Sequence, residues 1–185
     1  TKYRGIYPGW SSGNEVRGNF ITDTRAEGIR VRGAPSTIVD GNIVDMTSNY
    51  NIFVDYNSHN SKISNNILTN SGKGQRIGKA HGIYSKNSTN LIISNNSLSE
   101  HNYAIFIQDG IGNIYENNVV ESSSTGIRIK RGSDNIVANN NRFCFLESRS
   151  FYCTDSSGVT GSNNFADNIF LCPDESPTKA FHTCY

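Results

Sequence analysis

The chain has 185 residues, a length typical of one domain. Because only 35% of its residues are hydrophobic, the composition excludes a large spherical core, while 10% aromatic and only 18% charged residues exclude a disordered chain. The net charge of +1 argues against nucleic-acid binding, and no stretch reaches the roughly 18 apolar residues of a membrane span.

A first sequence pattern recurs along most of the chain. It consists of an apolar residue, two further residues, an Asn, one more residue and usually a second apolar residue. Recurrent Asn at one turn predicts a ladder in which each side-chain amide bonds to the coils above and below. The copies in chain order are Val16-Arg-Gly-Asn19-Phe-Ile21, Val39-Asp-Gly-Asn42-Ile-Val44, Ile63-Ser-Asn-Asn66-Ile-Leu68, Ile93-Ser-Asn-Asn96-Ser-Leu98 and Tyr115-Glu-Asn-Asn118-Val-Val120, then a front half at Val137-Ala-Asn-Asn140 and a degraded copy at Asn163 or Asn164.

A second pattern, a small residue followed by an aliphatic or aromatic one, keeps step with the first. Both repeat about every 22 to 24 residues, and the segments around them alternate inward aliphatic with outward polar residues, as half-buried strands do. Repeats this short must stack, so the sequence predicts an all-β fold, a single-stranded right-handed parallel β-helix (solenoid) of about seven coils. The copies are Gly5-Ile6, Gly28-Ile29, Asn51-Ile52, Gly82-Ile83, Ala104-Ile105, Gly126-Ile127, Ser150-Phe151 and Ala180-Phe181.

The whole chain, residues 1–185, is expected to form one domain, with regular coils over 1–157 and an irregular C-terminal coil and cap over 158–185. One coil is longer than the others by about seven residues, and the excess falls in the basic segment 72–79. The first strand begins almost at once, at Gly5. We therefore expect either a fragment of a longer protein or a first coil that stacks on another chain, which would give a homo-oligomer.

All four cysteines fall late in the chain, at Cys144, Cys153, Cys172 and Cys184. Their clustering near one end favours a cap tied by disulfides, and so a location that is extracellular or on a cell or virion surface. Three full pairings are open, and so is the alternative of four buried free thiols.

Aligning the second pattern from coil to coil places chemically active residues in columns on one outer sheet face. His81 is the sharpest candidate, because Tyr50 and Tyr103 flank it in its own column. A His and Tyr pair can abstract and return the C5 proton of a sugar, and a nearby cation can stabilise the resulting anion. The predicted catalytic residues are His81, Tyr103, Tyr50, Arg128 and Lys130. The predicted substrate-binding residues are Arg30, Phe53, Tyr84, Lys86, Phe106 and Gln108.

This combination suits a long acidic glycan, because aromatic rings offer apolar surface to sugars while Arg and Lys pair with carboxylates. Two alternatives stay open. Aromatic ladders also stabilise stacked strands without any ligand, and His81 could be a turn residue without a function.

The two patterns resemble the parallel β-helix repeat of the pectin-lyase-like superfamily over roughly residues 3 to 170. That superfamily includes pectate and alginate lyases, polygalacturonases, alginate epimerases and phage tailspike depolymerases. Ala80-His81-Gly82-Ile83 and Arg128-Ile129-Lys130 are similar to the Gly-His-Gly and Arg-Ile-Lys motifs of polygalacturonases, which implies functional roles for His81, Arg128 and Lys130. The paired aspartates of that family are replaced by Asn49 and Tyr50, which argues against glycoside hydrolysis.

Together these features predict an extracellular β-helix that binds or processes a polysaccharide, preferably by lyase or C5-epimerase chemistry on acidic glycans or as a tailspike-like depolymerase module. The alternative is a non-catalytic structural, adhesive or filament-forming β-helix. No cofactor is expected, and calcium is only weakly indicated because Asp55 and Asp109 stand isolated on the face.

Overall fold

The computed structural model describes residues 3–72, 81–166 and 170–171. These residues form 21 strands joined by turns, and no helix occurs among them. Within this described part of the chain there is accordingly no helix with the length and apolar character needed to cross a membrane. The segment in which the long coil has its excess residues falls almost wholly at 73–80, outside the described residues.

The strands form three parallel sheets of seven strands each. Sheet 1 contains β1 (Glu15–Arg17), β4 (Ile38–Asp40), β7 (Lys62–Ser64), β10 (Ile92–Ser94), β13 (Ile114–Glu116), β16 (Ile136–Asn139) and β19 (Val159–Ser162). Sheet 2 contains β2 (Phe20–Thr24), β5 (Ile43–Thr47), β8 (Ile67–Thr69), β11 (Ser97–Ser99), β14 (Val119–Glu121), β17 (Arg142–Cys144) and β20 (Phe165–Ala166). Sheet 3 contains β3 (Ile29–Arg32), β6 (Tyr50–Asp55), β9 (His81–Lys86), β12 (Tyr103–Gln108), β15 (Thr125–Ser133), β18 (Arg149–Ser156) and β21 (Phe170–Leu171).

Each strand pairs with its equivalents one coil below and one coil above. In sheet 3, for example, Tyr103 pairs with His81 on one side and with Thr125 on the other. Three strands per coil, each in parallel register with the next coil, define a parallel β-helix, and this confirms the fold predicted from the sequence.

The core is a narrow column of inward aliphatic side chains. Strand residues alternate between the two faces of a sheet, so each short strand contributes only one or two side chains to the interior. Burying each such side chain is worth roughly 1.5 to 3 kcal/mol. This explains how a chain with few hydrophobic residues still folds. One column of fully buried residues in sheet 3 consists of Ile29, Ile52, Ile83, Ile105 and Ile127.

The predicted Asn ladder runs through the described coils at the turn between sheets 1 and 2. Each side-chain Nδ2 donates to the Oδ1 of the Asn one coil further on, at 2.9 to 3.0 Å. One member differs from the prediction: Asn141, not Asn140, occupies the ladder in the sixth coil. Strand β16 is one residue longer than β13, and Asn140 sits at the turn position before the ladder, with φ +53°. The ladder residues are Asn19, Asn42, Asn66, Asn96, Asn118, Asn141 and Asn164.

At the turn next to sheet 3, each described coil has a residue in the left-handed region, at φ between +47° and +61°. Asn, Asp and Gly adopt this conformation most easily. We call this series the sheet 3 turn column. Its members are Trp10, Gly33, Tyr56, Asn87, Asp109, Arg131 and Asp155.

Two of the cysteines lie in described strands. Cys144 on β17 and Cys153 on β18 are both buried, and neither is a free thiol. Cys172 and Cys184 lie outside the described residues, so the pairing of the four stays a prediction.

Candidate functional site

The predicted columns lie side by side on the outer face of sheet 3. Tyr50, His81 and Tyr103 pair in one column, which continues to Thr125 and Arg149. Two further columns run parallel to it, one through Tyr84 and one through Lys86. The second column contains Arg30, Phe53, Tyr84, Phe106, Arg128 and Tyr152. The third contains Lys86, Gln108, Lys130 and Thr154.

The rings of the second column form a continuous stack along the helix axis. Phe53 and Tyr84 lie 4.8 Å apart at 8°, and Tyr84 and Phe106 lie 4.9 Å apart at 11°. A guanidinium closes each end, because Arg30 lies 4.9 Å from the ring of Phe53 and Arg128 lies 5.5 Å from that of Phe106. The flat faces of these three rings are therefore covered, and this column presents ring edges rather than faces to the outside.

A second stack contains His81. Its ring lies 5.3 Å from that of Tyr50 at 19° and 4.9 Å from that of Tyr103 at 30°. Tyr84 and Phe106 meet His81 edge-on from the neighbouring column, at 5.8 and 5.1 Å. Only 3% of His81 is exposed. His81 is thus the centre of a cluster of rings and is neither an exposed nor a turn residue.

Arg128 connects the two stacks at the end nearer the C-terminus. Its guanidinium contacts the hydroxyl of Tyr103 and lies 4.7 Å from the centre of that ring. It also lies 5.2 Å from the ring of Tyr152 in the next coil. The structure therefore brings together four of the five predicted catalytic residues: Tyr50, His81, Tyr103 and Arg128. Lys130 is half-buried one column away, where it pairs with Gln108.

Tyrosine hydroxyls line this face, and burial changes their acidity. Burial raises the pKa of Tyr84 to about 12, assisted by the negative charge of neighbouring acidic groups. Its hydroxyl donates to Oε1 of Gln108 at 2.9 Å, and Nε2 of Gln108 donates to Asp109 at 3.1 Å. Burial also raises the pKa of Tyr50. Tyr84 is therefore a protonated hydrogen-bond donor at neutral pH.

An ion-pair network occupies the end of this face that is nearer the N-terminus. Arg30 donates to Asp55 at 2.7 Å and lies 3.5 Å from Glu27, which also binds Arg4 at 2.7 Å. Arg30, Asp55 and Glu27 are all buried. Arg30, predicted to bind substrate, is therefore already neutralised by two carboxylates.

Sequence reasoning missed part of this surface. Glu27 stands in the His81 column but was not nominated, because a single acidic group there does not complete a catalytic pair. Exposed Trp10 and Tyr56 form a group with half-buried Arg32 beside the third column. Extending the coil alignment by one residue, into the turn, would have found the two aromatic members.

The fold described above is that of a parallel β-helix protein. The chain belongs to the NosD family, described as periplasmic copper-binding protein, whose family model matches residues 1–150. No curated protein matches the chain.

Solved structures with this fold are similar to the chain in shape but distant in sequence. XylC, solved in complex with xylose, has a TM-score of 0.69 at 14% identity over 86% of this chain. A Parabacteroides merdae protein assigned as a glycosyl hydrolase has a TM-score of 0.57 at 16% identity over 87% of this chain and 80% of its own. The A-module of the mannuronan C-5 epimerase AlgE6 of Azotobacter vinelandii has a TM-score of 0.52 at 13% identity over 90% of this chain and 55% of its own. The chain spans 30% of the length of XylC.

The described residues do not fit the copper ion in the family's description. They contain no group of three or more His, Cys, Asp or Glu side chains that could hold a metal ion. His101 is buried with both ring nitrogens engaged, by Ser71 at 2.7 Å and by the carbonyl of Leu68 at 3.1 Å. Nδ1 of His59 accepts from the backbone and hydroxyl of Thr89. We derive no chemistry through a metal.

Proposed function

We propose that the protein binds acidic polysaccharides along the outer face of sheet 3. The observation that carries this proposal is the guanidinium of Arg128, held between three aromatic rings and against a tyrosine hydroxyl at the half-buried edge of the cluster. A cation fixed in this way loses little side-chain freedom when it pairs with a carboxylate. Lys86 and Lys130, two half-buried residues of the third column, supply further positive charge.

Binding is tested by calorimetric titration with oligogalacturonate and with alginate oligomers, using neutral xylo-oligosaccharide as the comparison. Arg128→Gln should weaken binding of the acidic oligomers about tenfold, equivalent to the loss of one charge-assisted contact. Lys62→Gln, which removes an exposed lysine from sheet 1, is the matched control and should change nothing. Equal affinity of wild type for neutral and acidic oligomers would refute the proposal.

A second candidate function is proton abstraction at C5 of a uronic acid, which leads to β-elimination or epimerisation. The specific observation in its favour is the contact between the guanidinium of Arg128 and the hydroxyl of Tyr103. Tyr103 would act as a phenolate, held by its contact with Arg128, and would take up the C5 proton while Arg128 stabilises the charge that develops on the sugar carboxylate. In elimination the C4–O4 bond then breaks and the Tyr103 hydroxyl gives the proton to the leaving oxygen. The 3% exposure of His81 assigns it to holding Tyr103 by ring stacking rather than to touching the polymer.

This chemistry is tested by incubating the protein with pectate, alginate and capsular glycans and following the absorbance of new unsaturated ends. Proton exchange at C5 is followed in parallel in deuterated water. Tyr103→Phe should abolish activity while binding is largely kept, because the ring that Arg128 contacts remains. Tyr7→Phe, in the neighbouring column one coil below Arg30, should leave activity intact. Activity that survives Tyr103→Phe would eliminate this mechanism.

A non-catalytic scaffold is the remaining alternative, and the covered ring faces of Phe53, Tyr84 and Phe106 support it, because such stacks stabilise coils without a ligand. Adhesion or end-to-end assembly of copies would then be the function. Sedimentation velocity over a range of concentrations separates oligomers or filaments from a monomer of 20.4 kDa. The family's description as periplasmic supports a location outside the cytoplasm for each of these functions.

A further inference from the structure

Two aromatic residues occupy strained positions in the sheet 3 turn column. Trp10 has φ +61° and Tyr56 has φ +59°. A bulky side chain in the left-handed region costs roughly 1 to 3 kcal/mol. Burial does not compensate for this cost, because 64% of Trp10 and 53% of Tyr56 are exposed. Exposed Phe145 also has a positive φ, +55°, so the strain alone does not mark a site, and the contacts of Trp10 and Tyr56 distinguish them.

The glycine between them in the column brings the two rings into contact. The centroids of Trp10 and Tyr56 lie 5.4 Å apart at 75°. A Cβ atom at Gly33 would lie 2.7 Å from Cε3 of Trp10, so only glycine lets the indole rest against the backbone there. The indole nevertheless stays exposed, whereas the ring of Tyr84 is buried. Unlike the stack through Tyr84, this turn therefore offers exposed aromatic surface.

A guanidinium completes the group. Arg32 lies 4.9 Å from the centre of the Tyr56 ring and 5.8 Å from that of Trp10. Its only acidic neighbour in the described part of the chain is Asp55 at 3.9 Å, whose nearer partner is Arg30 at 2.7 Å. Nε of Arg32 is buried and has no hydrogen-bond partner among the described residues. Arg32 is therefore positioned by the rings while its capacity to bind an anion is largely unused.

From this geometry we infer that Trp10, Arg32 and Tyr56 form a separate binding site for a carboxylated sugar residue. The exposed indole contacts the apolar face of the sugar ring, and Arg32 pairs with the carboxylate. The class of ligand rests on the proposed function, but the site itself shares no residue with the His81 cluster. Asp55 links the two, because it contacts both Arg30 and Arg32. A polymer lying on sheet 3 would thus be held at this turn as well.

The test uses the intrinsic fluorescence of Trp10, the single tryptophan of the chain. Titration of wild type with oligogalacturonate should give a saturable change in emission. Tyr56→Asn removes the ring but keeps a residue that tolerates the left-handed conformation, and it should weaken binding about tenfold. Arg32→Gln should remove the preference for oligogalacturonate over neutral xylo-oligosaccharide. Thermal unfolding of each variant checks that the coils remain intact.

Phe145→Asn is the matched control, because Phe145 is also 64% exposed with φ +55° but lies at a different turn. It should bind as wild type does. A wild-type titration without a saturable change, or an unchanged affinity in Tyr56→Asn, would overturn the inference. If Arg128→Gln still loses affinity in calorimetry while Tyr56→Asn does not, the proposed function stands and only this site is refuted. If Tyr56→Asn weakens binding while Arg128→Gln does not, the site at this turn stands and the proposed binding through Arg128 is refuted.

Discussion

Polar residues that are buried inside this narrow core need a hydrogen-bond partner for each of their polar atoms. His101 shows this most clearly, because its ring is fully enclosed and both nitrogens are used. The carbonyl of Leu68 can only accept, so Nε2 carries the proton and Nδ1 accepts from the hydroxyl of Ser71. Burial lowers the pKa of His101 to about 4, and the bond to Leu68 offsets only part of that effect.

The pKa of His101 predicts acid sensitivity. The folded state holds the ring neutral down to about pH 4, whereas the unfolded state takes up a proton near the ordinary pKa of 6.5. The free energy of unfolding should therefore be constant above about pH 6.5 and fall by about 3 kcal/mol towards pH 4. Urea unfolding at a series of pH values measures this slope. In His101→Gln the slope assigned to this residue should disappear, and an unchanged slope would show that other groups cause it.

The Asn ladder supports a second prediction at this scale. Asn96 is 1% exposed, donates to the carbonyl of Ile63 and to Asn118, and accepts from both nitrogens of Asn66. Asn96→Ala leaves several buried groups without partners and should lower the free energy of unfolding by about 3 kcal/mol or more. Chemical denaturation measures the loss. Asn95→Gly, at the exposed neighbouring turn position with φ +56°, should be close to neutral. Equal effects of both would contradict a special role of the ladder.

At the scale of strands, the sequence predicted the pairing of strands between coils well, because the sequence pattern itself is periodic. The columns on sheet 3 were aligned correctly as far as Tyr152, since each strand keeps the same offset from its Gly-Ile pattern. The last copy was placed wrongly at Ala180-Phe181, because Phe170 is the residue that pairs with Phe151. The position of Asn141 was missed because one extra residue lies between Lys130 and Asp134, in the turn before strand β16. The offset from the previous coil is therefore 22 residues at Lys130 but 23 at Asp134. The burial of His81 was also missed, because the tilt of the Tyr50 and Tyr103 rings that enclose it depends on side-chain packing and not on spacing.

The ion-pair network between strands β3 and β6 gives a prediction about burial. The side chains of Arg30 and Asp55 are only 11% and 9% exposed. Asp55→Asn leaves the cation of Arg30 poorly compensated and should destabilise the protein by about 3 kcal/mol. Arg17→Gln, which removes the ion pairs of an exposed arginine, should destabilise the protein far less, because solvent screens these pairs. Thermal denaturation measures the loss of stability in each variant. Equal losses would mean that the buried ion pairs contribute no more to stability than the exposed ones.

At the scale of the whole molecule, stability depends on contacts between neighbouring coils. The core of this solenoid is a narrow column in which each coil contacts only its neighbours, so the end coils lose structure more easily than the middle ones. The cysteines lie towards one end, where a covalent link would oppose such fraying. The sequence could place them there, but the pairing depends on three-dimensional distances that spacing does not define.

Reduction should therefore affect the C-terminal coils first. We expect a reducing agent to lower the midpoint of thermal unfolding and to speed proteolysis beyond about residue 140, while the coils around Asn66 stay resistant. Limited proteolysis followed by mass spectrometry locates the cleavage sites. Cleavage that begins in the N-terminal coils, or an unchanged midpoint, would argue that no disulfide ties the C-terminal end.

Because the register between coils is regular, the length of the protein can change in steps of one complete coil. Removing residues 97–118, one period of 22 residues, would place Asn96 one step from Asn141 and leave every remaining column in alignment. The same deletion shortens the sheet 3 face by Tyr103 and Phe106. Such a protein can gain or lose a defined length of binding surface by duplicating or excising a single repeat, so the number of sugar residues that it contacts would be set by counting coils.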